Sequence, residues 1–227
     1  MLGLTRLLFT FLVLFPLSAF AEISSSVIIH SSSNAIYNGL TENNNKPYAA
    51  VNAELQLNPN WVFGAQLQDS EPVGIRQRQR VLSSYIGYDY AVNDNWLSSM
   101  YVINRKFLAS ARKWDYDEFS VKISHKNGAA LNLTYAPNYY SSSVKGIGST
   151  LSYIHHFADR YYARTQVGTF NMPSQLNYQF AHLAVGTSVG RFNMEVAYHW
   201  TEKQAIQTRM GPIVSPGFVL SVNYLAF

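Results

Sequence analysis

Hydrophobic and polar residues alternate along most of the chain after its first twenty or so positions. In residues 192–200 one face carries Phe192, Met194, Val196, Tyr198 and Trp200, and the other carries Asn193, Glu195, Ala197 and His199. Successive side chains of a β-strand point to opposite faces, so this pattern predicts a strand with one apolar and one polar side. The same alternation recurs within 49–57, 118–123 and 131–135, and no comparable stretch has a helical period.

Turn residues divide the chain into about twelve such segments. We place the strands near 24–37, 47–57, 60–69, 80–92, 95–105, 115–126, 128–137, 145–157, 160–170, 178–189, 192–202 and 213–227. Tight turns at 58–60, 93–95, 127–128, 158–160 and 190–191 alternate with longer polar links at 70–79, 106–114, 138–144, 171–177 and 203–212. Short turns at one end and long loops at the other are typical of bacterial outer-membrane barrels.

Composition favours a membrane barrel over a soluble β-sandwich. Charged residues make up 13% of the chain, about half of the roughly 25% found in soluble domains, while 48% of its residues are hydrophobic. Aromatic residues lie at both ends of the predicted strands, as in the aromatic girdles of membrane barrels. Those beside the tight turns or the C-terminus are Trp61, Tyr88, Tyr90, Trp96, Phe157, Tyr161, Phe192 and Tyr224; those beside the long loops are Trp114, Tyr135, Tyr139, Tyr140, Phe170, Tyr178 and Trp200.

The sequence therefore predicts an all-β protein: a closed antiparallel transmembrane β-barrel of about twelve strands, with short periplasmic turns and longer extracellular loops. A closed sheet pairs every backbone N–H and C=O group without leaving an edge in the hydrocarbon. The chain has no cysteine, so disulfides do not stabilise it.

The two ends of the chain carry signals for export and assembly. Residues 1–21 have a basic start, an apolar stretch and an Ala-Phe-Ala ending, which predicts a cleaved signal peptide and a barrel over 22–227. The terminal Phe227 resembles the C-terminal signal that the barrel assembly machinery reads.

Charged residues fall on the predicted inner wall and around the extracellular rim. The inner-wall candidates for lining a pore are Glu54, Glu118, Lys122, Arg164, Glu195, His182 and His199. The basic rim consists of Arg76, Arg78, Arg105, Lys106, Arg112 and Lys113. A basic rim can attract anionic solutes to a pore, or it can bind the phosphates of lipopolysaccharide; the sequence leaves both interpretations open.

Two patterns resemble enzyme or metal sites. Gly186-Thr187-Ser188-Val189-Gly190 matches G-x-S-x-G, but that motif requires a strand-to-helix turn, and here a second strand follows. His182 and His199 face each other across the same hairpin, and two imidazoles can bind a metal or sense pH. No third ligand is evident, so we expect neither a metal nor a cofactor. No motif supports nucleic-acid binding.

Short segments resemble a known family. Ser33-Asn34-Ala35-Ile36-Tyr37-Asn38-Gly39-Leu40-Thr41, followed by Lys46-Pro47-Tyr48-Ala49, is similar to the N-terminal signature of the TorF-type porin family of proteobacteria. The segments 116–119 and 135–140 resemble the middle region of the same family. The family usually has an arginine where this chain has Asn38. The resemblance implies an outer-membrane barrel with no assigned substrate.

The sequence as a whole predicts a porin-like channel for passive diffusion of small hydrophilic solutes, with a possible preference for anions. Its expected surroundings are outer-membrane lipid and lipopolysaccharide. One alternative is a barrel hydrolase that uses Ser188 with His199 or His182. Another is a closed barrel with a structural role.

Overall fold

The computed structural model describes residues 23–71, 79–108, 114–141, 143–173, 176–202 and 216–226. The predicted signal peptide, Phe227 and the rim residues Arg76, Arg78, Arg112 and Lys113 lie outside the described residues. Within these ranges, no helix has the length and apolar character needed to cross a membrane.

Twelve antiparallel strands form one closed barrel, which confirms the predicted fold class. The barrel strands are β1 Ile23–Ser32, β4 Tyr48–Leu57, β5 Trp61–Ser70, β6 Gln79–Asn93, β7 Trp96–Leu108, β8 Tyr116–His125, β9 Ala129–Ala136, β10 Gly146–Ala158, β11 Tyr161–Met172, β12 Leu176–Val189, β13 Phe192–Thr201 and β14 Gly217–Leu225. Two shorter strands, β2 Ile36–Tyr37 and β3 Leu40–Thr41, form a separate two-stranded sheet.

The barrel closes between its first and last strands. β1 pairs with β14 from Ile28–Leu225 to Ser32–Ser221, and on its other side it pairs with β4 along its whole length. Each of the five predicted tight turns joins two strands at one end of the barrel. The first residue of β1 and the last residue of β14 lie at that same end, which is the periplasmic end in outer-membrane barrels.

The outer wall is apolar. Val196, Tyr198 and Trp200 are 45%, 42% and 43% exposed on the outside of β13, whereas Glu195, next to Val196, is 8% exposed and points inward. Such a surface is stable where lipid covers it, because a soluble protein rarely exposes a contiguous apolar patch this large. The hydrophobic side chains therefore face lipid and not a protein core.

The aromatic girdle is present at the periplasmic end but largely missing at the extracellular end. Trp61, Trp96 and Tyr161 are exposed on the outer wall beside the tight turns. Of the seven aromatic residues expected beside the long loops, only Tyr135 and Trp200 are exposed on the outside. The other five lie in or against an interior cluster: Trp114, Tyr139, Tyr140, Phe170 and Tyr178. The prediction of an extracellular girdle is wrong for these five, and Phe170 and Tyr178 occupy inward-facing strand positions.

The predicted first strand, 24–37, is also too long. β1 ends at Ser32, and residues 36–41 form the β2–β3 hairpin instead. Its two turn residues, Asn38 and Gly39, have φ values of 48° and 76°. Two-residue hairpin turns with positive φ at both positions favour Asn-Gly. The chain thus leaves the wall five residues earlier than its alternating pattern indicated.

We expect Val196→Arg to destabilise the folded barrel by about 2–4 kcal/mol, because it places a charge near the bilayer midplane. The measurement is urea unfolding in lipid vesicles. Gln66→Arg is the matched control, since Gln66 points into the barrel and should tolerate the same change. Equal losses for the two variants would contradict the assignment of the outer and inner walls.

Candidate functional site: the extracellular mouth of the barrel

The β2–β3 hairpin folds into the mouth of the barrel and contacts strands far from its own origin. At its turn, the Tyr178 hydroxyl donates a hydrogen bond to the Asn38 carbonyl oxygen at 2.6 Å. The Thr201 hydroxyl donates to the Gly39 carbonyl oxygen at 2.8 Å. A Cβ atom on Gly39 would lie 2.6 Å from the Cβ of Phe180. The close approach and the positive φ both require glycine at this position.

The side of the hairpin is anchored by an ion-pair cluster. The two oxygens of the Glu42 carboxylate accept from Arg105 Nη1 at 3.0 Å and from Gln68 Nε2 at 2.7 Å. The Arg105 guanidinium lies 4.1 Å from the centre of the Tyr37 ring, a cation–π contact. The Tyr37 hydroxyl donates to Glu118 on β8, across the barrel from β1. Burial raises the pKa of Tyr37 well above its usual range, so this hydroxyl stays protonated and remains a donor.

An aromatic core fills one half of the mouth. It lies between the hairpin and strands β6 to β12, and Leu40 of the hairpin packs against it. The buried members of this core are Val81, Phe107, Tyr116, Ala136, Tyr139, Phe170, Met172, Tyr178 and Phe180. Protein interiors pack closely with few voids larger than a water molecule. This half of the mouth is therefore a small hydrophobic core inside the barrel and not a water-filled space.

Beside the aromatic core, a chamber of about 190 Å³ extends from the hairpin along the inner wall of strands β1, β4 and β11 to β14. It is large enough to hold several water molecules. Its wall is mostly polar and includes His30, Asn38, Arg164, Glu195, His199 and Ser221. We refer to this space as the chamber.

Four of the predicted pore residues meet at the chamber wall. Arg164 Nη2 lies 2.5 Å from Glu195 Oε1 and 3.2 Å from His182 Nε2. Because a guanidinium only donates, His182 Nε2 is an acceptor, and its Nδ1 is then the protonated nitrogen. That nitrogen lies 2.9 Å from Nε2 of His199. The result is a chain of hydrogen bonds from Glu195 through Arg164 and His182 to His199.

The remaining predicted pore residues lie elsewhere on the inner wall. Glu54 accepts from the Tyr85 hydroxyl at 2.9 Å, and Glu118 belongs to the hairpin anchor. Lys122 points inward opposite Asn132 and is exposed.

Of the two rim residues that are described, Arg105 is held inside the mouth by Glu42, and Lys106 projects from the outer wall. Neither presents a free charge at the entrance to the mouth.

The hydrolase geometry is not formed. Ser188 Oγ accepts a hydrogen bond from Asn193 Nδ2 at 3.0 Å. His182 is six residues away on the same strand, and His199 is paired with His182, so both lie roughly 20 Å along the strands from Ser188 at the usual rise per residue. Gly186 of the matching motif has a packing role instead, because a Cβ there would lie 2.3 Å from the Tyr162 ring. Among the described residues, no group of three or more His, Cys, Asp or Glu side chains could hold a metal ion.

The hairpin is the functional element that the alternating pattern did not reveal. Its signal is Asn38-Gly39, because an Asn-Gly pair between hydrophobic residues is the strongest short-range indication of a tight hairpin. The inward course of the hairpin has no comparable local signal, since it depends on partners such as Glu118, Tyr178 and Thr201 that are distant in sequence.

No family model matches the chain, and no curated protein sequence matches it. Its fold is similar to that of solved outer-membrane proteins. The KdgM porin aligns with a TM-score of 0.57 at 9% identity, over 88% of this chain and 98% of the porin. The KdgM porin in complex with disordered oligogalacturonate aligns with a TM-score of 0.55 at 8% identity and the same coverage. An outer-membrane channel from Pseudomonas putida F1 aligns with a TM-score of 0.51 at 11% identity, over 93% of this chain and 98% of the channel.

At these identities the likeness establishes the fold alone, an outer-membrane β-barrel. Together with the apolar outer wall and the periplasmic girdle, this fold places the protein in the bacterial outer membrane, in contact with its lipids and lipopolysaccharide.

We expect Arg105→Met to release the hairpin, because it leaves the carboxylates of Glu42 and Glu118 inside the mouth without their cation. Breaking a buried ion pair in this way costs about 3–5 kcal/mol. The measurement is hydrogen exchange of the backbone amides of residues 34–45, which should become faster when the hairpin is released. Lys46→Met is the control, because the Lys46–Glu71 pair is solvent-exposed on the lysine side, and exposed pairs contribute about 0–1 kcal/mol. Equal exchange in both variants would show that the cluster does not hold the hairpin.

Proposed function

We propose that the protein is a narrow channel for passive diffusion of small hydrophilic solutes across the outer membrane. The observation that carries this proposal is the polar chamber beside the hairpin. The chamber is a polar space that can hold several water molecules, in a mouth that the hairpin and the aromatic core otherwise fill. Outside the chamber, the inner wall carries further polar and charged side chains such as Glu54, Asp89 and Lys122. A polar lumen in a closed barrel is the usual arrangement of a diffusion channel.

The family resemblance supports the same proposal from a different direction. Most of the segment that is similar to TorF-type porins, residues 33–41, forms the inward hairpin and its approach. We therefore propose that the chain is a porin of this type. In place of the family's usual arginine it has Asn38, whose φ of 48° lies in a region that asparagine tolerates better than most residues.

The two described rim residues do not supply a preference for anions. Arg105 is neutralised by Glu42, and Lys106 projects from the outer wall, where it suits contact with lipopolysaccharide phosphates. Any attraction of anions to the mouth would therefore depend on Arg76, Arg78, Arg112 and Lys113. We also propose that residues 1–21 are the export signal and that Phe227 engages the barrel assembly machinery.

The experiment is single-channel recording in planar bilayers. The unmodified protein should give discrete current steps. A variant in which residues 34–43 are replaced by a Gly-Ser linker of the same length should give larger steps, because the linker makes none of the hairpin's anchoring contacts. Lys46→Met should leave the step size unchanged.

Silence of both the unmodified protein and the linker variant would contradict the channel and favour the closed structural barrel. Silence together with ester hydrolysis that Ser188→Ala abolishes would favour the hydrolase. Steps of equal size before and after the replacement would show that the hairpin does not narrow the pore.

A further inference from the structure

The two halves of the mouth differ so much that solute cannot pass the hairpin equally on both sides. On the side of β6 to β10, the space between wall and hairpin is occupied by buried rings, among them Phe107, Tyr116 and Tyr139. Ser83 on the inner wall of the same side is only 4% exposed. On the side of β12 to β14, the chamber separates the hairpin from the wall.

We infer that solutes pass the hairpin through the chamber on the β12–β14 side, and that the Arg164–Glu195 ion pair is the charge filter of this passage. The inference rests on the proposed channel function and specifies its route and its selectivity. Because the two charges of the pair cancel, the passage favours neither anions nor cations. Small uncharged or zwitterionic polar molecules are then the solute class that it suits.

The position of the pair supports this role. Both side chains lie on the chamber wall, with Arg164 on β11 and Glu195 on β13. The Arg164 side chain is 35% exposed and that of Glu195 is 9% exposed, so the guanidinium faces the open space more than the carboxylate does. The remaining chamber residues are hydroxyl, amide, imidazole, aromatic and aliphatic groups. No other Asp, Glu, Lys or Arg lines the described chamber.

Hydrogen bonds hold the Arg164–Glu195 pair in place, but not every N–H group of Arg164 has a hydrogen-bond partner. The second Glu195 oxygen lies 3.2 Å from the Tyr162 hydroxyl, and Arg164 also contacts His182. The Arg164 Nε is buried and has no hydrogen-bond partner among the described residues. The exposed part of the guanidinium, about a third of the side chain, is what a passing solute meets, and it can donate only to acceptors such as hydroxyl or carbonyl oxygens.

Ion selectivity in a salt gradient tests the filter. Glu195→Gln leaves Arg164 without its carboxylate, so the reversal potential should shift toward anion selectivity. Arg164→Gln leaves the carboxylate, so the shift should have the opposite sign. Glu54→Gln is the matched control: it removes the same charge from the inner wall outside the chamber, and its shift should be clearly smaller.

Two outcomes in a protein that still conducts would contradict the role of the ion pair as a charge filter. One is a reversal potential that shifts equally in Glu195→Gln and Glu54→Gln. The other is a reversal potential that does not shift in the opposite direction in Arg164→Gln.

The natural absence of cysteine allows an independent test of the route. A thiol introduced by Ser221→Cys faces the chamber, and a bulky charged thiol reagent should remove most of the current through this variant. Ser83→Cys, behind the hairpin on the packed side, should conduct as before in the presence of the reagent. Block of Ser83→Cys, or current that persists in labelled Ser221→Cys, would overturn the route. Absence of any current in the unmodified protein and the linker variant would instead contradict the channel itself.

Discussion

Backbone hydrogen bonding in hydrocarbon is the constraint on which the rest of this structure depends. A strand that crosses a bilayer has no water to satisfy its N–H and C=O groups, so the sheet must pair its first strand with its last. Pairing of β1 with β14 meets this requirement. In the closed barrel the apolar side chains face lipid. The inward side chains and the hairpin then fill the enclosed interior.

The interior is filled in two chemically different ways. Toward β6 to β12 it resembles the core of a soluble protein, with aromatic rings packed around the hairpin. Toward β11 to β13 it is a polar wall in which Arg164, Glu195, His182 and His199 are joined by hydrogen bonds. The hairpin separates the two regions, and the Glu42–Arg105 pair fixes it in the mouth. The barrel thereby combines an anchored hairpin with a small polar chamber.

The wall of the barrel was predictable from the sequence, whereas the contents of the mouth were not. Strict alternation in segments such as 192–200 reports which face a residue occupies, and it correctly separated Val196 from Glu195. Alternation cannot say what an inward residue meets. Phe170 and Tyr178 were therefore expected at the membrane surface, although they lie in the interior cluster.

The candidate site was predictable only where neighbouring strands fix the register. His182 and His199 are paired through a tight turn, so their proximity followed from counting residues. Arg105 was expected at an open rim, because nothing local indicates that Glu42, some sixty positions earlier, lies beside it. Contacts between a loop and a distant wall depend on the whole closed barrel, and no short sequence pattern encodes them.

The hairpin belongs to the beginning of the chain, but its partners come much later. Residues 36–41 are synthesised before Glu118, Tyr178 and Thr201, which hold them. The hairpin turn therefore gains its contacts with Tyr178 and Thr201 only after β12 and β13, in the last third of the polypeptide, have joined the sheet. Docking of the hairpin is thus coupled to completion of the wall, and a truncated product without β12 and β13 would lack the hydroxyl groups that hold the turn.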